Sequence, residues 1–368
     1  MTAFRKIKEY VPVKAMVIFA LTILSLVLLV VVRLSTAFAD FFNYYLTMPI
    51  RAILSSVTSI IPISIAEILL ITMPIWIGLL VFFAVKQIKK GTKYGVRCLC
   101  YVLCILCVIF ISFVWTYSSG YYTTSIDQKL GLDREKVSVQ ELYDTALWLT
   151  ENLNELAPNI TYDESGASIM PYSTWQMSSK LCDAYDTFVS KYGVLHNFRS
   201  KVKPILLSEP LTYTHISGIY SFVTGESNVN VNYPDFIVAS SAAHELAHQR
   251  GVAREEEASF VAFLVCINSE DLFLQYSGYL DVYQEVMSAL YSADKELYKK
   301  ASAEISKSVL DDRISYSDFF KKYQDSKPAQ VSGSINNSFL QANGQSAGIK
   351  SYGMVTDLTV AYYKSLVK

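Results

Sequence analysis

Three long uncharged runs near the start of the chain dominate its hydrophobic pattern. They cover residues 16–32, 68–85 and 98–126. A bilayer core about 30 Å thick requires roughly 20 apolar residues in a helix. The pattern therefore predicts three membrane-spanning helices, at about 16–36, 63–85 and 98–117, in preference to buried core helices. A cleaved signal peptide is a weaker alternative for the first run, because no small-residue cleavage site follows it cleanly.

Basic residues flank these runs unevenly, which indicates an orientation. Arg5, Lys6, Lys8 and Lys14 precede the first span, and five more basic residues fill the loop between the second and third spans. Positive charge is retained on the cytoplasmic side of a membrane. We therefore expect a multi-pass protein of the bacterial cytoplasmic membrane, with its N-terminus inside and everything after the third span outside.

The remaining residues, 118–368, show the patterns of a folded domain. Ser138 and Glu141 form a capping-box sequence that opens an amphipathic helix predicted over 138–156. Tyr, Ile, Val and Thr between residues 212 and 231 favour strands. Further helices are predicted at 171–193, 280–307 and 354–366, and a polar loop at 326–350. We therefore predict a membrane anchor, 1–117, followed by a mostly helical α+β domain, 118–368.

Composition changes this picture little. Hydrophobic residues make up 52% of the chain and charged residues 18%, an average over the anchor and the domain. The 32 basic and 33 acidic residues leave a net charge of −1, which argues against nucleic acid as a partner.

Two smaller features concern the membrane surface and the cysteines. Segment 41–60 resembles an interfacial or re-entrant piece. Cys182 and Cys266 either pair in an oxidising exterior or remain buried free thiols.

The sequence His244-Glu-Leu-Ala-His248 suggests metal chemistry. Residues four apart lie on one face of a helix, so both imidazoles can bind one Zn²⁺. Glu245 follows the first histidine directly, where it can take a proton from a water whose pKa the metal lowers. The chain has only four histidines, and the residues around these two are small or apolar, as in a buried site helix.

A third ligand is expected shortly after this motif, because catalytic zinc usually has three protein ligands. Gly251 can end the first helix, and a second helix is then expected to start near Ala253 and to run through the acidic residues 255–257. Glu255 is the preferred ligand, with Ser259 one turn later able to hydrogen-bond it or a ligand histidine. Glu257 is the alternative, and since it points to another side of the helix, both cannot be ligands.

Two resemblances follow from these residues. HELAHQRG followed by REEEASF resembles the gluzincin type of zinc metallopeptidase, which uses HExxH and a downstream glutamate. The chain as a whole resembles an uncharacterised bacterial membrane family, domain of unknown function 3810. The pieces that match are SGIYSFVTGESNVNV, AAHELAHQRG, SGYL and SYGMVTDLTVAYY. Ser259 stands where that family usually has Asn. The resemblance implies a zincin-like fold but no substrate.

The gluzincin resemblance also implies a substrate-binding strand and a group that stabilises the oxyanion. Residues 226–232 are predicted to be an edge strand that pairs with a peptide backbone, or else an ordinary structural strand. Tyr352, His215 and Tyr220 are candidates for the oxyanion helper, and Asn230 of the strand is a candidate substrate contact. Most tyrosines in a chain with 26 of them serve packing.

These features predict a membrane-anchored zinc metallopeptidase that hydrolyses peptide bonds outside the cytoplasmic membrane. Its partners would be a peptide or protein in the cell envelope and the lipid bilayer. The alternative is a catalytically silent, zinc-stabilised envelope scaffold or sensor. Because Glu245 is not a zinc ligand, its presence favours the enzyme.

Overall fold

The N-terminal part of the protein is helical in the computed structural model, which describes residues 8–367; Arg5 and Lys6 lie outside the described residues. Its helices are α1 (Val13–Leu34), α2 (Thr36–Phe42), a π-helical turn (Asn43–Thr47), α3 (Met48–Thr58), α4 (Ile65–Ile88) and α5 (Thr92–Thr116). Helices α1, α4 and α5 are long and apolar enough to cross a membrane. The prediction of three apolar helices able to associate with a bilayer is confirmed.

The rest of the chain is mostly helical with small sheets, in agreement with the coarse prediction. The helices are α6 (Ile126–Leu130), α7 (Val139–Leu156), α8 (Thr174–Tyr192), α9 (Ser208–Thr212), α10 (Asp235–Gln249), α11 (Glu255–Ile267), α12 (Leu272–Ala293), α13 (Lys295–Ala303), α14 (Lys307–Lys321), α15 (Lys327–Ala342) and α16 (Val355–Val367). The strands are β1 (Thr161–Tyr162), β2 (Ser168–Ile169), β3 (Val202–Pro204), β4 (Gly218–Ser221) and β5 (Glu226–Val229).

Local sequence signals explain where several helices begin. The capping box of Ser138 and Glu141 forms at the start of α7, and Ser173 and Gln176 form a second box before α8. Each box satisfies backbone N–H groups that have no partner inside the helix. The helices predicted at 138–156 and 171–193 are therefore confirmed, and α16 matches the helix predicted at 354–366.

Two predicted elements differ from the structure. The helix predicted over 280–307 is interrupted at Asp294, which has an extended backbone and whose carboxylate accepts the N–H groups of Glu296 and Leu297 to start α13. The loop predicted over 326–350 contains helix α15, opened by the Ser326 side chain, and a 3₁₀ segment at Gly348–Met354. Polar composition concealed a helical spacing of apolar residues in α15.

The sheet that leads to the site has the order β3-β5-β4. β5 pairs in parallel with β3 and antiparallel with β4, so the strands predicted over 212–231 are present as β4 and β5. β3, however, was not predicted. Because β3 covers the other side of β5, β5 is not an edge strand but an ordinary structural strand, which is the second of the two alternatives predicted for 226–232. The edge strand next to it on the side of Glu245 is β4.

Helices α10, α11 and α12 pack against one another and form the centre of the hydrophobic core, with α7 against α12. Residues that face this centre, such as Leu246, Phe260 and Leu280, are fully buried. Cys182 and Cys266 are buried free thiols, which is the second of the two alternatives for this pair. The core thus supports α10, which carries the two histidines, and α11, which carries the acidic run 255–257.

Buried polar contacts join the apolar helices to the folded part. The Glu226 carboxylate accepts the N–H groups of Ile65 and Ala66 at the start of α4, at 3.0 and 2.8 Å, and pairs with buried Lys203. Conversely, Glu67 of α4 accepts the N–H groups at residues 206 and 207. Residues on both sides of the predicted division at 117 therefore share one packed interface, and Glu67 serves as a structural acceptor within it.

Candidate metal centre

Helix α10 brings the two histidines of the motif together. His244 and His248 lie one turn apart, and their Nε2 atoms are 3.0 Å from each other. Two nitrogen lone pairs that face each other at this distance in a buried place repel each other. The pair therefore requires a shared proton or a cation between the two nitrogens. The Nδ1 atoms turn the other way, towards fixed partners.

Helix α11 supplies a carboxylate to the same point. The chain turns after α10 at Gly251, whose φ of +98° favours glycine, and α11 begins at Glu255. Glu255 Oε2 lies 3.1 Å from His244 Nε2 and 3.3 Å from His248 Nε2. Atoms bound tetrahedrally to zinc at about 2.0–2.1 Å lie roughly 3.3 Å apart. The three donor atoms therefore match the size and the donor types of a zinc site.

The partners of the Nδ1 atoms fix how each imidazole is presented. His244 Nδ1 lies 3.1 Å from Ser259 Oγ, and His248 Nδ1 lies 2.7 Å from the carbonyl oxygen of Val252. A carbonyl only accepts, so Nδ1 of His248 carries a proton, and in the neutral imidazole Nε2 then keeps a free lone pair for a metal. The Tyr117 hydroxyl lies 3.1 Å from the same Nδ1. This is the arrangement that orients histidine ligands in metal sites.

Glu257, the alternative third ligand, points away from the histidines. Its carboxylate forms a 2.8 Å ion pair with Arg254 and accepts the N–H of Ile126 at 3.1 Å. Glu256 is also engaged elsewhere, by the side chain of Gln345. The helical rotation between neighbouring positions separates the three acids, so the geometry favours Glu255 over Glu257 as the ligand.

Glu245 is buried between α10 and the edge strand β4. Its carboxylate accepts the backbone N–H of Tyr220, and burial raises its pKa to about 8. A Cβ atom at Gly218 would lie 2.6 Å from Glu245 Cγ and 2.7 Å from its Oε1. Only glycine permits β4 to pass this close to the carboxylate.

Charges within the cluster are strongly linked. Burial opposes protonation of His248, but the nearby Glu255 carboxylate outweighs this and raises the His248 pKa to about 9. Burial also opposes ionisation of Glu255, yet the charge of His248 and the hydrogen bond from His244 lower the Glu255 pKa. Burial lowers the pKa of His244. The cluster is thus arranged to hold positive charge beside an ionised carboxylate, a role that a bound metal cation fills directly.

The proposed substrate contacts divide into two groups. Tyr352, in the 3₁₀ segment, stacks on His244 with ring centroids 6.3 Å apart and hydrogen-bonds Glu255. Tyr220 approaches Glu245 through its backbone, while its ring packs on Tyr117. His215 contacts the Tyr323 carbonyl oxygen at 2.8 Å, so its ring is engaged away from the histidine pair.

Asn230 has a structural role. It is fully buried, and its amide donates to Thr212 Oγ1 and to the carbonyl oxygen of Ile216. Both donor hydrogens are therefore used within the protein. Of the four candidate substrate residues, the structure places Tyr352 and the backbone of Tyr220 at the cluster, and it directs the side chains of His215 and Asn230 elsewhere.

Sequence reasoning missed three residues around this centre. Tyr117 follows α5 directly and reaches His248, and Gly218 admits β4 to Glu245. Arg51 is fully buried and donates to Thr47 Oγ1, to Asn43 Oδ1 and to the Thr116 carbonyl oxygen at 2.7 Å. A lone arginine in an apolar segment was the signal for the last; nothing in the sequence distinguished the other two.

Comparisons with known proteins give one match. No curated protein and no solved structure matches the chain. The model of one family, described as protein of unknown function (DUF3810), matches residues 42–360. The match covers α4 and α5 as well as the histidine cluster. The chain therefore belongs to the DUF3810 family.

Proposed function

We propose that this protein is a membrane-anchored zinc metallopeptidase with a zincin-like domain of the gluzincin type. The observation that carries the proposal is the convergence of His244 Nε2, His248 Nε2 and Glu255 Oε2 at mutual distances of 3.0–3.3 Å. These residues would hold the zinc ion. Zinc bound there would supply a Lewis acid that polarises the scissile carbonyl and makes water more acidic.

Three parts of the chain would carry out the remaining steps of hydrolysis. Glu245 would take a proton from the attacking water and pass it to the leaving amine, as a general base and then a general acid. The Tyr352 hydroxyl would donate a hydrogen bond to the oxyanion as negative charge develops there. The edge strand β4 would pair with the backbone of an extended peptide and place its scissile bond beside Glu245.

The folded part would lie outside the cytoplasmic membrane of a bacterial cell. Lys86, Lys89 and Lys90, at the end of α4, and Lys93 and Arg97, at the start of α5, support this orientation because they gather positive charge at the opposite membrane face from the cluster. The substrate would then be a peptide or protein of the cell envelope.

Peptide hydrolysis by the full-length protein tests the proposal. We expect the purified, zinc-loaded protein to cleave members of a fluorogenic peptide library. The E245Q variant removes the general base and should lower kcat/KM by about a hundredfold or more. E296Q, at an exposed glutamate, is the matched control and should leave cleavage unchanged.

Zinc content measured on the same samples separates the outcomes. We expect E245Q to keep its zinc, because Glu245 is not among the converging donors. Hydrolysis by E245Q at the wild-type rate would overturn the mechanism. A wild-type protein that binds zinc but cleaves no peptide would instead support the scaffold or sensor.

A further inference from the structure

The depth of the metal centre relative to the bilayer follows from how α1 and α5 pack. Ala15 of α1 packs with Cys100 and Cys104 of α5, and farther along the two helices Trp115 Nε1 donates to Ser25 Oγ at 3.0 Å. The helices therefore run parallel, and α5 ends about level with Ser25. Helix α1 continues to Leu34, which is about 13 Å beyond that level.

This continuation of α1 remains apolar and exposed. We use the term apolar collar for the exposed apolar residues of 26–34 and 53–63. They are Leu26, Val27, Val30, Val31, Leu34, Ile53, Val57, Ile60, Ile61 and Ile63. The second group belongs to α3 and the segment that leads into α4, and it is joined to the end of α5 by the hydrogen bond from Arg51 to Thr116. Water contact with so many aliphatic side chains would be costly, whereas lipid chains cover them at no such cost.

The histidine cluster lies at the same end of α5. Tyr117, the residue after α5, places its hydroxyl 3.1 Å from His248 Nδ1. Thr116 Oγ1 also donates to the carbonyl oxygen of Phe222, next to β4, at 3.1 Å. The metal centre is therefore one side chain away from the end of a membrane-spanning helix, and the apolar collar of α1 rises past that end.

Helix α15 presents a third apolar surface at this depth. Val331, Ile335 and Phe339 recur every four residues and are exposed. The Phe339 ring packs against Phe113, one turn before the end of α5, with centroids 5.9 Å apart. At the end of the same helix, Arg33 of α1 donates to the Ala342 carbonyl oxygen at 3.0 Å. The apolar stripe formed by Val331, Ile335 and Phe339 is thus continuous with the membrane-spanning helices.

Another side of α15 supports the wall of the cluster. The Asn336 amide contacts the Tyr352 hydroxyl at 3.4 Å, and Asn337 Oδ1 accepts the N–H of Ile349 at 3.2 Å. One helix therefore joins a lipid-type surface to the tyrosine that stacks on His244. An amphipathic helix of this kind lies in the interface plane of a bilayer.

We infer that the apolar collar and α15 are immersed in the lipid leaflet next to the folded part, so that the metal centre lies at the membrane interface and acts on polypeptide held there by a hydrophobic anchor. The substrate class rests on the proposed peptidase function, but the placement does not. The anchor is either a covalently attached acyl chain or a membrane-spanning helix. Both hold a peptide segment at the depth of the cluster.

Photocrosslinking tests the placement without requiring activity. The full-length protein, reconstituted in vesicles of phosphatidylcholine and phosphatidylglycerol, would carry a benzophenone side chain at Ile335 or at Ile53. We expect both positions to crosslink to lipid acyl chains. The same group at Lys299, an exposed residue of α13, is the control and should not. Absence of lipid crosslinks at both Ile335 and Ile53 would overturn the placement.

A series of anchored peptides tests the substrate class. A cleavable library segment would be joined to a palmitoyl chain or to a membrane-spanning helix through a spacer of about 4 or about 40 residues; the longer spacer reaches roughly 35 Å. We expect the short-spacer peptides to be cleaved at least as fast as the long-spacer ones, and both at least tenfold faster than the free segment. If the site lies away from the bilayer, the short-spacer peptides will not be cleaved. That result would overturn the inference.

The two experiments separate failure of the inference from failure of the proposed function. Lipid crosslinks without cleavage of any peptide would reject the peptidase and leave the placement standing. Equal cleavage of free and anchored peptides, without lipid crosslinks, would reject the inference and leave the peptidase standing. Cleavage with only one of the two anchors would identify which kind of anchored polypeptide is the substrate.

Discussion

Gly218 of β4 lies close against the side chain of Glu245. An alanine Cβ there would lie 2.6 Å from the carboxylate side chain, closer than carbon atoms approach without displacement. We expect G218A to move Glu245 and to lower kcat/KM for peptide hydrolysis by about tenfold or more, since small misplacements of catalytic groups are costly. Zinc content should not change.

A second glycine provides the control for this prediction. Gly333 lies in α15 with open space where its Cβ would be. G333A should keep full activity and slightly favour the helix, because alanine is the better helix former by up to about 1 kcal/mol. Equal activity of G218A and wild type would show that the fit of β4 against Glu245 does not matter to the reaction.

At the residue scale, the convergence of His244, His248 and Glu255 was predictable because it depends on short-range helix geometry. The spacing of His244 and His248 needs only one helical turn, and Glu255 needs only a turn at Gly251. Tyr117 and Gly218 reach the cluster from distant parts of the chain, and Tyr352 does so through a 3₁₀ segment. Long-range packing decides such approaches, and no local pattern encodes it.

At the element scale, the buried pair of Lys203 and Glu226 joins the sheet to helix α4. The Glu226 carboxylate also accepts two N–H groups at the first turn of α4, where the helix dipole favours a negative charge. E226Q would remove that charge and leave the Lys203 ammonium buried without an opposite charge. We expect the free energy of unfolding to fall by roughly 3–5 kcal/mol.

Chemical unfolding of the full-length protein in detergent measures this change. E209Q is the matched control, because Glu209 forms a solvent-exposed pair with Lys322. Such pairs contribute about 0–1 kcal/mol. Similar losses for the two variants would mean that the contact between β5 and α4 contributes no more than a surface ion pair.

Element predictions succeeded where amphipathic spacing and caps agreed, as in α7 and α8. They failed for α15, where serine, asparagine and glycine hide an apolar stripe, and at Asp294, where a cap divides a helical pattern in two. The choice between an edge strand and a structural strand stayed open for 226–232 because β3, a strand of three residues, gives no pattern of its own. Strand order depends on pairing between distant segments.

At the scale of the whole molecule, orientation is the property with the clearest test. The positive charge around Lys90 predicts that this loop faces the cytoplasm and that the folded part lies outside. We expect an antibody to reach an epitope inserted after exposed Lys307 in intact bacterial spheroplasts. An epitope after Lys90 should be reached only after permeabilisation. The reverse pattern would invert the orientation and place the histidine cluster inside the cell.

The division of the molecule into an anchor and a separate domain is less sharp than hydropathy indicates. Arg51, Glu67 and Glu226 form buried polar contacts across it, and Tyr117, directly after the third apolar helix, reaches the histidine cluster. Hydropathy locates the helices able to cross a bilayer, since it depends on composition alone. Hydropathy does not detect the few polar residues whose buried contacts join these helices to the folded part.

Bound zinc per chain, measured on the purified full-length protein, shows whether His244, His248 and Glu255 hold a metal ion. We expect about one zinc ion in the wild type, little in E255Q, which replaces the carboxylate among the three donors, and full content in E257Q, whose side chain pairs with Arg254. Equal zinc content in E255Q and the wild type, or loss of zinc in E257Q alone, would show that Glu255 is not the third ligand.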